Sequence, residues 1–338
     1  MGADGERGRA MPVTWGTAMT GALYGPAGFF TSGAGPAAHF RTSVHASTAL
    51  AGALLELLDR VDTALGRPDH LDLVDVGAGR GELLTAMLTA AGPALAARLR
   101  PTAVELAPRP PGLPAAVRWQ DQPPAGITGL LLATEWLDNV PLDIADHGPA
   151  GPHQVLVDPA TGQETAGPPV TGADAAWLAR WWPGAGRAEI GRTRDVAWAE
   201  AVATVRRGLA VSVDYGHLRG ERPAGGTLTG YRHGRQVPPV PDGSCDVTAH
   251  VAVDAVAEAG AAVADRPPTL LTQAEALRAL GVRGTRPPLA LASADPAGYV
   301  RALAAASAAA ELTDPAGLGG HWWLLQPVGV DLPPLVAR

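Results

Sequence analysis

The chain has 338 residues, with 26 Arg and no Lys against 33 acidic residues, and a formal net charge of −7. A negative balance without a basic tract excludes broad affinity for a phosphate backbone, which needs clustered cations; a single cysteine, Cys245, excludes a disulfide framework and cysteine-cluster metal sites. With 46% hydrophobic residues the chain can build a core, which excludes wholesale disorder.

Met1 to Gly16 mixes acidic residues, arginines and glycines without an apolar run, so no signal peptide is expected there, and Glu6 defeats a myristoylation motif at Gly2. Residues 1–44 read as a loop-rich lead-in. From His45 to Leu65, Leu50, Leu54, Leu57, Leu58, Val61 and Leu65 recur at helical steps, with Asp59, Arg60 and Asp62 on the other side. Leu71–Val76 then reads as a strand, Glu82–Leu99 as a helix, and Thr102–Leu106, Ala116–Trp119 and Leu130–Ala133 as further strands. Such alternation predicts βαβ units and a parallel sheet. The pattern breaks from about Asp143 to Arg207, where a hairpin (Gln154–Val157, turn at Asp158–Gly162) and four tryptophans, Trp177, Trp181, Trp182 and Trp198, suggest an inserted lid. Leu209–Val213 resumes the sheet, 216–246 reads as a long loop, and His321–Val328 reads as the last strand.

The expected division is therefore 1–66 as lead-in, 67–142 as the first half of an α/β core, 143–207 as insertion and 208–338 as the second half. No segment reaches the ~18 uninterrupted apolar residues of a membrane span, and a cytoplasmic protein without membrane or nucleic-acid partners is expected.

The sharpest local signal follows the first strand. Asp75 precedes Gly77-Ala78-Gly79-Arg80-Gly81, a glycine turn into a helix. Glycines admit positive φ and let a ligand approach the backbone, and the helix start offers free N–H groups. The spacing G-x-G-x-G is not the G-x-G-x-x-G of dinucleotide binders. An acid at Asp75 would repel a pyrophosphate, yet it suits the ammonium and sulfonium of S-adenosylmethionine. The plainer alternative is a βα turn with no ligand. Glu105, 24 residues after Gly81, ends the next strand, where an acid can accept from ribose hydroxyls or simply be solvated. Asp121 follows the third strand and reads either as an acceptor for an adenine amino group or as a turn former before Pro123-Pro124. In Ala133-Thr134-Glu135-Trp136-Leu137-Asp138-Asn139-Val140-Pro141, one helical turn would put the carboxylates of Glu135 and Asp138 on one face. There they would clamp a guanidinium or amine, or cap a helix.

These stretches, in this order, resemble a class I S-adenosylmethionine-dependent methyltransferase, and more narrowly the MidA family, which includes the mitochondrial complex I assembly factor that methylates protein arginine. The resemblance is carried by His39–His45, the glycine turn, Thr134–Pro141, Ala188–Ile190, Val213–Gly216, Gly226–Leu228, Tyr231–His233 and Asp246–Val251. It implies an α/β, Rossmann-like seven-stranded methyltransferase sheet with an N-terminal helical lead-in and an inserted lid. It also implies that Gly77, Gly79, Glu105 and Glu135 line the cofactor pocket. Thr134 stands where the family has Asn, and Asp75 where Glu is common. Phe29–Ser32 partly duplicates Phe40–Ser43, and the second copy, with Thr42, directly precedes the helix.

The expected cofactor residues are thus Asp75, Gly77, Ala78, Gly79, Gly81, Glu105, Asp121, Thr134 and Thr42. Glu135 and Asp138 are expected to orient the acceptor. His250, with Asp246, is a candidate proton acceptor, because a guanidinium must lose a proton as it is methylated; the alternative is a structural histidine. Asp214-Tyr215-Gly216, at another strand end, is expected to shape the acceptor pocket. No metal-binding spacing occurs. Three functions compete: methylation of arginine in a protein, methylation of a small molecule or peptide natural product in a Trp-lined pocket, and a non-catalytic assembly protein that keeps the fold.

Overall fold

The structure, a computed structural model, describes residues 11–31, 48–184 and 186–336. Thr42 and the motif His39–His45 lie outside these. The described residues form two compact units: those within Met1–Phe40, Asn139–Arg194 and Leu218–His250 make the first, and those within Arg41–Asp138, Asp195–His217 and Val251–Arg338 the second.

The second unit is built on a seven-stranded sheet. Its strands are β1 (Leu71–Val76), β2 (Leu99–Val104), β3 (Arg118–Gln120), β4 (Ile127–Thr134), β5 (Val205–Asp214), β6 (Thr269–Thr272) and β7 (Trp322–Val328). Their order is β6-β7-β5-β4-β1-β2-β3. All neighbours pair in parallel except β7, which runs antiparallel to both β5 and β6. The strands β1, β4 and β5 are almost continuously buried, as expected of parallel strands covered on both faces. Helix α1 (Thr48–Ala64) contributes Leu50, Leu54, Leu57, Leu58 and Val61 to a core with Leu71, Leu73, Leu130 and Leu132. The sheet is flanked further by α2 (Glu82–Ala90), α3 (Val253–Ala261), α4 (Gln273–Ala279) and α5 (Pro296–Thr313).

Several expected elements differ in detail. The helix expected over Glu82–Leu99 ends at Ala90; Pro93 starts a separate short helix, Pro93–Ala96, and Leu99 already belongs to β2. Pro101 inside β2 hid that strand's start, since proline rarely occupies a central strand. Asp62, placed on the outer side of α1, is fully buried and accepts from Arg98 Nη1 and Nη2 at 2.9 and 2.5 Å.

The first unit is antiparallel. Strands 13–14, 151–157, 143–148 and 187–190 lie side by side in that order, and 164–169 also pairs with 151–157. The expected hairpin is present: the Asp158 carbonyl accepts from the N–H groups of Thr161 and Gly162. The stretch read as a loop over 216–246 instead contains Thr229–Arg232 and Arg235–Val237, which pair with each other, while the first also pairs with Asp246–Thr248. The turn between them is His233-Gly234, both with positive φ, the geometry for which Asn-Gly is the usual sequence signal. Trp15, Met19, Leu23, Phe29, Ile144, Val155 and Val247 form this unit's core. Among the described residues, no helix is long and apolar enough to cross a membrane.

Candidate active site

The order of the sheet reverses between β1 and β4, and the carboxyl ends of the strands at such a reversal are where open α/β sheets bind ligands. After β1 the backbone turns through Gly77, Gly79 and Gly81, with φ of 71°, 56° and 79°. A Cβ on Gly77 would lie 2.9 Å from Trp136 Cδ1, so this position requires glycine for space as well as for backbone. Among the described residues, the only heavy atom within 4 Å of a Cβ on Gly79 is Glu82 Oε2, at 3.8 Å, so they leave space beside this glycine. Gly81 stands at the start of α2 in left-handed backbone. The amides of Gly77 and Ala78 both donate to the Val104 carbonyl, tying the turn to the end of β2.

Glu105 follows β2 directly. Its Oε2 accepts from Gly79 N–H at 3.0 Å, and its Oε1 from Leu106 N–H at 2.8 Å and Ala107 N–H at 3.1 Å. Three amides thus fix one carboxylate against the glycine turn. Asp75, the penultimate residue of β1, is 2% exposed, and its Oδ1 is sealed from solvent without a hydrogen-bond partner among the described residues. Burial, reinforced by the negative charges of Glu105 and Glu82, pushes its carboxyl up to about 8.

At the end of β4, Thr134 is buried and Glu135 adopts φ +50°, an uncommon conformation for a residue with a side chain. The amide of Glu135 donates to the Val213 carbonyl of β5 at 2.8 Å. A short 3-10 turn follows over Leu137–Asn139. Asp214 Oδ2, at the end of β5, accepts from the amides of Leu137 at 3.1 Å and Asp138 at 3.2 Å. The Tyr215 hydroxyl donates to Asp138 Oδ2, and its ring packs 5.5 Å from that of His321, which immediately precedes β7.

The structure therefore brings Asp75, Gly77, Ala78, Gly79, Gly81, Glu105, Thr134, Glu135 and Asp138 to one edge of one unit. The expected helical turn carrying Glu135 and Asp138 on one face is corrected. Glu135 precedes the 3-10 turn in left-handed backbone, and Asp138 is buried under Tyr215. Asp121 is exposed just after β3. His250 and Asp246 belong to the first unit. His250 is exposed, its amide donates to Thr227 Oγ1 and its carbonyl accepts from the buried Arg194; Asp246 accepts from Asn139 Nδ2 at 2.7 Å. Of the four tryptophans, Trp177 and Trp182 are buried in the first unit, Trp181 is half-buried there, and Trp198 is buried in the second. Sequence reading gave no role to Trp136, which lies within the Thr134–Pro141 motif and packs against Gly77, or to His321, whose ring meets Tyr215. Among the described residues, no group of His, Cys, Asp or Glu is arranged to hold a metal ion.

A family model described as "Putative S-adenosyl-L-methionine-dependent methyltransferase" matches residues 50–268. No curated protein matches the chain. Two solved structures from Burkholderia thailandensis are similar along nearly its whole length. One, a COG1565 superfamily member and likely methyl transferase bound to S-adenosyl-homocysteine, shares 26% identity, covering 95% of this chain and 89% of its own, with a TM-score of 0.79. The other, an uncharacterized COG1565 superfamily protein, shares 25% identity over 95% of this chain and 88% of its own, with a TM-score of 0.77.

Proposed function

Since the chain belongs to the family of S-adenosyl-L-methionine-dependent methyltransferases, we propose that the acidic edge just described is where it methylates a protein arginine. The cofactor's fit rests on three features of this chain: the orphaned Oδ1 of Asp75, the space beside Gly79, and the carboxylate of Glu105 held by amides. When bound, S-adenosylmethionine supplies a methyl group on a cationic sulfonium, ready for in-line displacement. Asp75 would face the ammonium, Glu105 would accept from the ribose hydroxyls through its remaining lone pairs, and Asp121 and Thr134 would border the adenosyl moiety.

The acceptor reading is carried by one observation: three acids, Glu135, Asp138 and Asp214, stand at the neighbouring ends of β4 and β5, where the Glu135 amide donates to Val213 and Asp214 Oδ2 accepts from the Asp138 amide. A guanidinium is planar, permanently charged and a fork of donors, so carboxylates at fixed spacing orient it well. In this reading Glu135 and Asp138 hold the guanidinium, and Tyr215 holds Asp138. Positioning supplies most of the rate in a displacement of this kind. The reading agrees with the MidA resemblance.

The test is transfer of labelled methyl from S-adenosylmethionine to proteins of a cell extract, followed by amino-acid analysis. Label in N-methylarginine supports the proposal; label only in lysine or in the small-molecule fraction contradicts it. For Glu135→Gln we expect S-adenosylhomocysteine affinity to stay within about threefold while transfer falls roughly 100-fold, as for loss of one orienting group. Equal loss of both would assign Glu135 to the cofactor alone.

A further inference from the structure

Asp75 is the one buried carboxyl group at the glycine turn that the fold leaves with an unsatisfied oxygen among the described residues. The other two acids there are engaged: Glu105 accepts from three amides, and Glu82 Oε2 accepts from the Arg80 amide at 3.0 Å. Asp75 is 2% exposed, and the negative charges of both add to its burial in disfavouring its ionised form. A third negative charge sealed among two others is stable only if a cation joins the group. We propose that Asp75 selects the cofactor by exchange, keeping its proton while no cation faces it and releasing that proton to solvent when the ammonium of an adenosyl amino acid enters. This rests on the cofactor seat proposed above.

The carboxyl O–H bond breaks, its electron pair stays on the Asp75 oxygen, the proton passes to buffer and the ammonium keeps its three hydrogens. Neutrality of the free carboxyl at pH 7 agrees with a group pushed up to about 8. The consequence is linkage: ligand affinity rises about tenfold per pH unit while Asp75 is protonated, and levels off above its own pKa. An adenosyl ligand without an ammonium gains nothing from the exchange.

Calorimetric titration of the full chain at about pH 6.5, where an α-ammonium is fully charged, tests this in phosphate and in imidazole, buffers of low and high ionisation enthalpy. S-adenosylhomocysteine is expected to bind with heats that differ between the buffers by about one released proton. 5′-Methylthioadenosine, which shares the adenosyl thioether but lacks the amino acid, is expected to show no such difference or not to bind. Asp75→Asn, isosteric with the protonated acid, is expected to lose the buffer dependence. Equal heats for S-adenosylhomocysteine in both buffers overturn the exchange while leaving the seat intact, and so does proton release with 5′-methylthioadenosine. Absence of saturable S-adenosylhomocysteine binding overturns the seat and the exchange with it. If Asp75→Asn binds too weakly to titrate, the two wild-type titrations still decide.

Discussion

Gly77 and Gly79 share a backbone conformation but not a reason for being glycine. At Gly77 a methyl group would press on Trp136 as well as strain the backbone, so Gly77→Ala should cost roughly 2–3 kcal/mol. Gly79→Ala meets open space and should cost about 1 kcal/mol, the backbone penalty alone. Denaturant unfolding of the two variants measures the difference; equal losses would show that Trp136 yields freely. Asp75 adds a pH signature. Its folded pKa is raised from 3.8 to about 8, so the folded protein holds a proton that the unfolded chain gives up first. Stability from this group is therefore fully present below about pH 4 and is lost as pH rises through about 8. Asp75→Asn should unfold at higher denaturant than wild type at pH 9, with the gap shrinking at pH 6. A constant gap would mean that Asp75 is ionised throughout. Much of this was legible in the sequence, because a strand-end acid followed by alternating glycines is a local pattern. The pairing of Tyr215 with Asp138 and the closure of Trp136 on Gly77 were not, since each joins segments that only the tertiary fold brings together.

At the scale of elements, periodicity located α1, β1 and β5 because buried leucines and valines repeat there without interruption. It failed where local chemistry carried a second meaning. Pro101 masked the start of β2, and the His233-Gly234 turn concealed two strands. Asp62 looked like a solvent-facing acid, because nothing within α1 announces that Arg98 will reach it. Helix α4 shows the converse, a legible start. Thr272 Oγ1 accepts from the Glu275 amide while Glu275 Oε2 accepts from the Thr272 amide, a reciprocal cap. Thr272→Ala should cost about 1 kcal/mol in thermal or denaturant unfolding. A loss near zero would show that β6 and β7 hold α4 in place without its cap. Just inside that cap, the buried Gln273 accepts from Trp323 Nε1 and donates to the Leu312 carbonyl, so it is a satisfied polar core residue.

Over the whole molecule, the first unit gathers three separated stretches of chain. Trp15 Nε1 donates to Glu164 Oε1 at 2.8 Å, and the Tyr24 hydroxyl donates to the Asn139 carbonyl at 3.2 Å. Sequence reading sees the break in βαβ alternation after β4 but has no local signal for contacts more than 100 residues apart. The second unit was easier to foresee, since its parallel strands, glycine turn and strand-end acids follow one another in chain order. That unit carries the central claim, a cofactor seat at the Gly77–Gly81 turn. Calorimetric titration with S-adenosylhomocysteine tests it most directly, with NADH as control and with Gly79→Arg beside wild type. Because a side chain at residue 79 would project into open space, the variant should fold and yet fill the seat. One-site binding of S-adenosylhomocysteine alone to wild type, abolished in folded Gly79→Arg, is the predicted result. Undiminished binding to Gly79→Arg would contradict the account and place the cofactor elsewhere.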